Sequence, residues 1–317
     1  MTKPIAISLG DPAGIGPEVV VRALAARPAL RVLVFGDPLV LSAAAARAGV
    51  PRVDPEALRV VTTLAPNDVT PGRPNDASAR AQLAYLEAAT DAVLRGECAA
   101  LVTAPISKEW IARAGFSFPG HTEYLAARAG VAAFAMMLAG PQLRVVVATT
   151  HIALRDVPTS LTPAGVAATI VLTAEALARR FRIAKPRVAV AGLNPHAGEA
   201  GRFGDEETRI VAPAIVLART RLAAAGVDAA VTGPHVPDVV FRQAAGGAFD
   251  AVVALYHDQG LIPVKLLHFD DAVNVTLGLP FARTSPDHGT AFDIAGTGAA
   301  RPDSFLAALD LAARIAA

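Results

Sequence analysis

Three histidines stand directly behind short apolar runs. Arg144–Thr150 (R-V-V-V-A-T-T) leads into His151. Arg187–Leu193 (R-V-A-V-A-G-L) leads through Asn194 and Pro195 to His196, and Asp250–Tyr256 (D-A-V-V-A-L-Y) leads into His257. Runs of this kind, apolar without strict alternation, suit strands buried on both faces. Open α/β sheets bind ligands beyond the C-terminal ends of their strands. Three imidazoles brought to one sheet edge form the ligand set of an open, catalytic type of metal site, with a coordination position left for water or substrate. A single histidine so placed is more often a loop residue bonded to backbone; the repeated placement is what favours a metal. No local zinc-finger spacing is present, so the fold itself must bring the three together.

A second group of residues carries charge into places where an anion would be welcome. Ser107 can cap a helix running to Ala114, which puts Lys108 in its first turn, where the helix dipole disfavours a cation. A solvated surface lysine is the alternative. In Phe118–Glu123 (F-P-G-H-T-E), Thr122 reads as the N-cap of a helix to Ala129, and His121 beside that N-terminus suits an anionic ligand or a plain turn. Lys265 and Arg283 follow strand-like stretches and have apolar neighbours, Val264 with Leu266 and Phe281 with Ala282. Charges there are costly to desolvate unless a bound anion, or a salt bridge to Asp258 or Asp287, offsets the cost. Asp238 either reaches a site or caps the helix at Val239–Ala245. Lys108, Asp238 and Asp258 are the candidates for a general base.

The elements that must position these groups alternate strand and helix. Ile5–Leu9 runs into Gly10–Glu18 (G-D-P-A-G-I-G-P-E) and a helix at Val19–Ala26, with Pro17 in the first turn and Glu18 complementing the dipole. The glycines suit either close approach to a ligand or a structural turn, and the G-x-G-x-x-G/A fingerprint is absent because Val19 holds its last position. Strands at Arg31–Phe35, Leu58–Thr62, Ala99–Thr103 and Ala135–Leu138 are expected, with a helix capped by Asp76 or Ser78 through Arg95. Thr162 and Pro163 open a helix through Phe181, and Asp205 one through Ala224. Leu266–Leu277 reads as strand, a helix is expected at Ala291, and the last helix covers Asp303–Ile315.

Composition bounds the class. A chain of 317 residues points to about two domains. A net charge of +1 from 29 basic and 28 acidic residues, with 5% aromatics, argues against a nucleic-acid surface. No uncharged apolar run reaches the roughly 18 residues of a membrane span. The start, M-T-K-P before Ile5, lacks the pattern of a signal peptide, and the single Cys98 forms no intrachain disulfide, so a soluble cytoplasmic protein is expected.

Jointly, Gly10–Glu18, Pro105–Lys108, Gly120–Glu123, Thr149–His151, Gly192–Glu199 (G-L-N-P-H-A-G-E), Tyr256–Lys265 and Val273–Gly296 resemble the 4-hydroxythreonine-4-phosphate dehydrogenase family of pyridoxal phosphate biosynthesis. The blocks span nearly the whole chain in order, with departures at Val239 and Pro286. The resemblance implies an α/β fold like isocitrate and isopropylmalate dehydrogenases: two α/β domains with an interdomain cleft, residues 1–120 plus 284–317 forming the first and 121–283 the second. It implies a homodimer with the active site at its interface, a divalent metal (zinc, magnesium or cobalt) on His151, His196 and His257, and NAD or NADP without a Rossmann loop. It assigns His121, Thr122, Lys265, Asn274 and Arg283 to the substrate.

The activity so implied is oxidation of 4-phosphohydroxy-L-threonine at C3 followed by decarboxylation to 3-amino-2-oxopropyl phosphate. Dehydrogenases of 4-phosphothreonate, 4-phosphoerythronate or cis-dihydrodiols are alternatives within the family. A zinc hydrolase using the three histidines to activate water, or a noncatalytic phosphosugar-binding protein, are alternatives of other classes.

Overall fold

Runs of Val, Ala, Leu and Ile that lack alternation fold here as parallel strands covered on both faces, the arrangement their composition requires. A computed structural model describes residues 3–316; Met1, Thr2 and Ala317, which open and close the expected first domain, lie outside the described residues. The chain divides into two compact units, one made of residues up to Val131 together with those from Leu279, the other of Ala132–Gly278. His121, Thr122 and Arg283 therefore belong to the first unit, whereas boundaries at 120/121 and after 283 assign them to the second.

The first unit runs β1 (Ile5–Ser8), α1 (Gly16–Ala26), β2 (Val32–Gly36), α2 (Pro38–Ala48), β3 (Leu58–Val60), α3 (Asp76–Leu94), β4 (Ala100–Thr103), α4 (Lys108–Arg113) and α5 (His121–Arg128). Its strands stand in the order β3-β2-β1-β4 and pair in parallel, with Ile5 opposite both Val32 and Ala100. Its core joins Phe35, Leu86, Leu101, Ile111 and Leu125. The cap of α3 is Asn75 rather than Asp76 or Ser78: Asn75 Oδ1 accepts from Ser78 N at 2.9 Å while Ser78 Oγ accepts from Asn75 N at 3.1 Å, a reciprocal box.

The second unit runs β5 (Ala135–Ala139), β6 (Arg144–Val147), α6 (Val157–Ser160), α7 (Pro163–Arg179), β7 (Arg187–Ala191), α8 (Ala212–Ala224), β8 (Ala230–His235), α9 (Pro237–Ala245), β9 (Ala251–Ala254), α10 (His257–His268) and β10 (Val273–Leu277). Thr162 caps α7 as expected, accepting from Gly165 N at 3.1 Å. The strand order is β10-β5-β6-β9-β7-β8, antiparallel as far as β6 and parallel beyond it. Leu138, Val145, Ala189, Val252 and Val264 meet in its core.

The chain then returns to the first unit with β11 (Ala282–Pro286), parallel to β4, and α11 (Asp303–Ala316). Two expected elements differ. The strand expected from Leu266 begins only at Val273, because α10 continues through His268 in spite of Pro263. Leu261 and Val264 are buried while Ile262, Leu266 and Leu267 are exposed, so apolar residues stand on both the inner and the outer side of the helix and the sequence gives no clear apolar-to-polar helical contrast. The helix expected at Ala291 is a series of turns, and Ala291 itself has φ of 41°, outside any right-handed helix.

Candidate active site

In the second unit β6 and β7 flank β9, all three running the same way, so His151, His257 and His196 follow adjacent strand ends. The β6 and β9 ends are stitched beyond the ladder: Ala148 N donates to Ala254 O at 2.8 Å and Thr149 Oγ1 to Leu255 O at 2.7 Å. The rings of His151 and His257 come together with centroids 5.6 Å apart. His257 Nδ1 lies 2.7 Å from Asp258 Oδ1, a contact that favours the tautomer with its proton on Nδ1 and leaves the Nε2 lone pair for a metal.

His196 opens five consecutive residues with left-handed backbone, through Ala200, and its ring packs on Phe203 with centroids 6.0 Å apart. Among the described residues no three His, Cys, Asp or Glu side chains are gathered closely enough to hold a metal ion. The structure thus pairs His151 with His257 and places His196 at the neighbouring strand end. Two facing imidazoles, one oriented by a carboxylate, fit the donor chemistry of a divalent ion.

The first unit builds a separate feature. Thr103, Lys108, Gly120, His121, Ser285 and His288 are among the residues lining a cavity of about 210 Å³. Ser107 caps α4 as expected, its Oγ accepting from Trp110 N at 3.4 Å, so Lys108 does stand in the first turn. The cap of α5 is Gly120, not Thr122, which moves His121 into the helix and Thr122 behind it. Arg283, on β11 and 3% exposed, donates to Thr103 Oγ1 at 2.6 Å. Burial pulls its guanidinium down to about 10, partly offset by Glu123. His121 keeps some surface at solvent, but its Nε2 is sealed without a partner, as is Nε2 of His288. Burial, and then the charges of Arg283 and Lys108, hold the His121 imidazole well below its usual 6.5. This corner therefore gathers two cations beside a neutral imidazole.

The glycine-rich loop packs its backbone closely against this corner. A side chain at Gly10 would collide with the Pro105 carbonyl, and one at Gly14 would lie 2.9 Å from the Thr290 carbonyl. Gln82 Nε2 donates to buried Asp11 at 2.9 Å, and Gln82 Oε1 accepts from Ser107 N at 2.9 Å. Nothing in the local pattern around Gln82 marks it, because its role depends on where α3 packs.

The remaining candidates are dispersed. Asn274 lies on β10 opposite Leu138, its Oδ1 buried without a partner. Lys265 is exposed on α10 instead of following a strand. Asp238 is exposed in the first turn of α9 and does not cap it.

The family described as pyridoxal phosphate biosynthetic protein PdxA matches residues 28–312. The chain belongs to this family. A 4-hydroxythreonine-4-phosphate dehydrogenase of Desulfosudis oleivorans is 51% identical, covering 97% of this chain and 94% of its own. The crystal structure of 4-hydroxythreonine-4-phosphate dehydrogenase from Klebsiella pneumoniae matches with a TM-score of 0.87 at 43% identity, covering 100% of both chains. A terephthalate 1,2-cis-dihydrodiol dehydrogenase from Burkholderia xenovorans matches at 34% identity and a TM-score of 0.71, covering 98% of each. The PdxA-family chain accordingly has the isocitrate dehydrogenase-like α/β fold expected of it.

Proposed function

We propose that this PdxA-family chain is a nicotinamide-dependent dehydrogenase that oxidises 4-phosphohydroxy-L-threonine at C3 and then releases carbon dioxide. What carries the proposal is the likeness, over nearly the whole length, to proteins named 4-hydroxythreonine-4-phosphate dehydrogenase. The C3 hydroxyl gives its proton to a base, and the C3 hydrogen leaves with its electron pair for the nicotinamide ring of NAD or NADP. The resulting β-keto acid loses its carboxylate as carbon dioxide. The bonding pair passes into an enolate, and protonation at C2 yields 3-amino-2-oxopropyl phosphate.

The cations around His121 suit the phosphate or carboxylate of such a substrate, Arg283 as a planar fork and Lys108 as a point charge. Thr122, Lys265 and Asn274 are assigned to the substrate by the family resemblance alone. His151, His196 and His257 would hold a zinc, magnesium or cobalt ion, which when bound supplies Lewis-acid stabilisation of charge at the C3 oxygen. Of the candidate bases, Lys108 lines the cavity, whereas Asp258 is engaged by His257 and Asp238 is exposed.

The chain acts as a homodimer with the active site at its interface. Supporting this, α10 carries an exposed apolar stripe beside Lys265. No single helix among the described residues is long and apolar enough to cross a membrane; a cytoplasmic location is supported by Cys98, which is buried as a free thiol.

The test is absorbance at the reduced-nicotinamide band with 4-phosphohydroxythreonine, with and without a chelator, alongside 4-phosphothreonate, 4-phosphoerythronate and a cis-dihydrodiol. Reduction coupled to substrate loss and abolished by chelation is expected with the first compound. Preferential turnover of another would reassign the substrate, and loss of substrate without nicotinamide reduction would point to a hydrolase.

A further inference from the structure

Two buried polar side chains of the second unit are directed at the backbone that leads to His196. Gln259, in the first turn of α10, accepts from Leu255 N at 2.7 Å through Oε1 and donates to Gly192 O at 2.7 Å through Nε2. One amide therefore spans from the end of β9, behind which His257 stands, to the residue just past β7. Glu207, 4% exposed, accepts from Leu193 N and Asn194 N, each at 2.7 Å, through Oε1, and from Asn194 Nδ2 at 3.0 Å through Oε2. It opens a single π-helical turn, Glu207–Val211, an irregularity that recurs at functional sites.

Residues 192–194 are thus gripped from both sides immediately before a disfavoured stretch. His196, Ala197, Glu199 and Ala200 all have positive φ without being glycine, and conformations of this kind persist only where the surroundings over-determine them. Regularity of the sheet alone does not call for this: β7 and β9 are already paired through Val190 and Val253.

We propose that Gln259 is a positioning residue for the divalent-ion site, its two-sided amide setting the spacing between the strand ends that deliver His257 and His196, with Glu207 securing the same loop from the other side. The inference rests on His151, His196 and His257 being the ligands. With the bridge removed, the loop samples positions in which His196 is withdrawn, and the ion must restore the order on binding.

The experiment uses the full chain freed of metal by a chelator and titrated with cobalt(II), with the visible bands and the heat of binding followed together. Gln259→Met keeps the side-chain length and removes both hydrogen bonds. It is expected to weaken cobalt binding about 10- to 100-fold and to alter the visible spectrum, while the metal-free melting temperature stays near that of the wild type. Gln259→Glu keeps the acceptor for Leu255 N and turns an oxygen toward the Gly192 carbonyl; it provides the same comparison if the methionine variant folds poorly. Wild-type cobalt affinity in either folded variant overturns the inference. His257→Ala separates the two levels: if it binds cobalt as the wild type does, the ligand assignment has failed and this proposal falls with it. If it loses cobalt while Gln259→Met does not, only the positioning role has failed.

Discussion

His257 Nδ1 and Asp258 Oδ1 lie 2.7 Å apart, with the imidazole side chain 33% exposed and the carboxylate 72% exposed. A carboxylate on one ring nitrogen raises the basicity of the other and fixes the direction in which its lone pair points. Asp258→Ala is therefore expected to weaken divalent-ion binding about 10- to 100-fold, measured by competition against a chelator of known affinity. If Asp258 is instead the general base, kcat will collapse and lose its acidic limb while ion affinity stays unchanged.

The buried His121 imidazole makes stability depend on pH in a defined direction. Its folded pKa is depressed, so below the usual 6.5 the unfolded chain takes up a proton that the folded chain refuses. Stability is thus retained above that value and lost as pH falls through the window beneath it. His121→Gln should flatten the decline in melting temperature between about pH 7 and 5 relative to wild type. Inorganic phosphate in the cavity favours the imidazolium, so it should raise the His121 pKa as followed by the ring-proton shift in NMR. An unmoved shift at saturating phosphate would remove His121 from the anion site.

How much of this was legible in the chain follows from what each feature depends on. The strands ahead of His151, His196 and His257 are short apolar runs whose burial on both faces is local information, and so are the caps at Ser107 and Thr162. That β9 stands between β6 and β7 is topology, which periodicity does not encode. The left-handed turn at His196 is not legible in the sequence, because only Gly198 among its five residues favours positive φ. Gln259 and Glu207 look like ordinary helical polar residues until tertiary packing aims them at residues 192–194. Lys265 stands on α10 and not behind a strand, because Leu261–Leu267 has apolar residues on both its buried and its exposed side, a pattern that reads equally as strand or helix.

That helix supplies a further prediction. Ile262, Leu266 and Phe269 follow helical spacing and are 65%, 83% and 79% exposed. Apolar side chains so exposed and contiguous mark an interaction surface, and a second copy of this chain is the proposed occupant. Leu266→Glu combined with Phe269→Glu should convert a dimer to a monomer in sedimentation velocity and depress turnover, with the melting curve of each unit little changed. A wild-type protein that sediments as a monomer at micromolar concentration would sink the proposed interface.

Arg283 separates a residue kept for binding from one kept for the fold. It is 3% exposed, donates to Thr103 Oγ1 at 2.6 Å and has its pKa drawn down to about 10 by burial, so its charge is less well accommodated in the ligand-free protein than in water. Because the folded value lies below the unfolded one for a basic group, the charged form costs stability throughout neutral pH, and that cost is relieved only as pH rises toward 10 and beyond. An anion bound beside His121 offsets it electrostatically. Arg283→Met, which fills similar space without charge, should leave the ligand-free melting temperature unchanged or raise it. It should also raise the Michaelis constant for the phosphorylated substrate roughly 10- to 100-fold, as expected when a hydrogen bond to a charged group worth about 1.5 to 3 kcal/mol is lost. Added phosphate should stabilise the wild type by mass action, and the variant only at roughly 10- to 100-fold higher phosphate. The contrary result is a large drop in the ligand-free melting temperature with an unaltered Michaelis constant: Arg283 would then serve β11 and β4 through Thr103, and the substrate's phosphate would have to be bound by other residues.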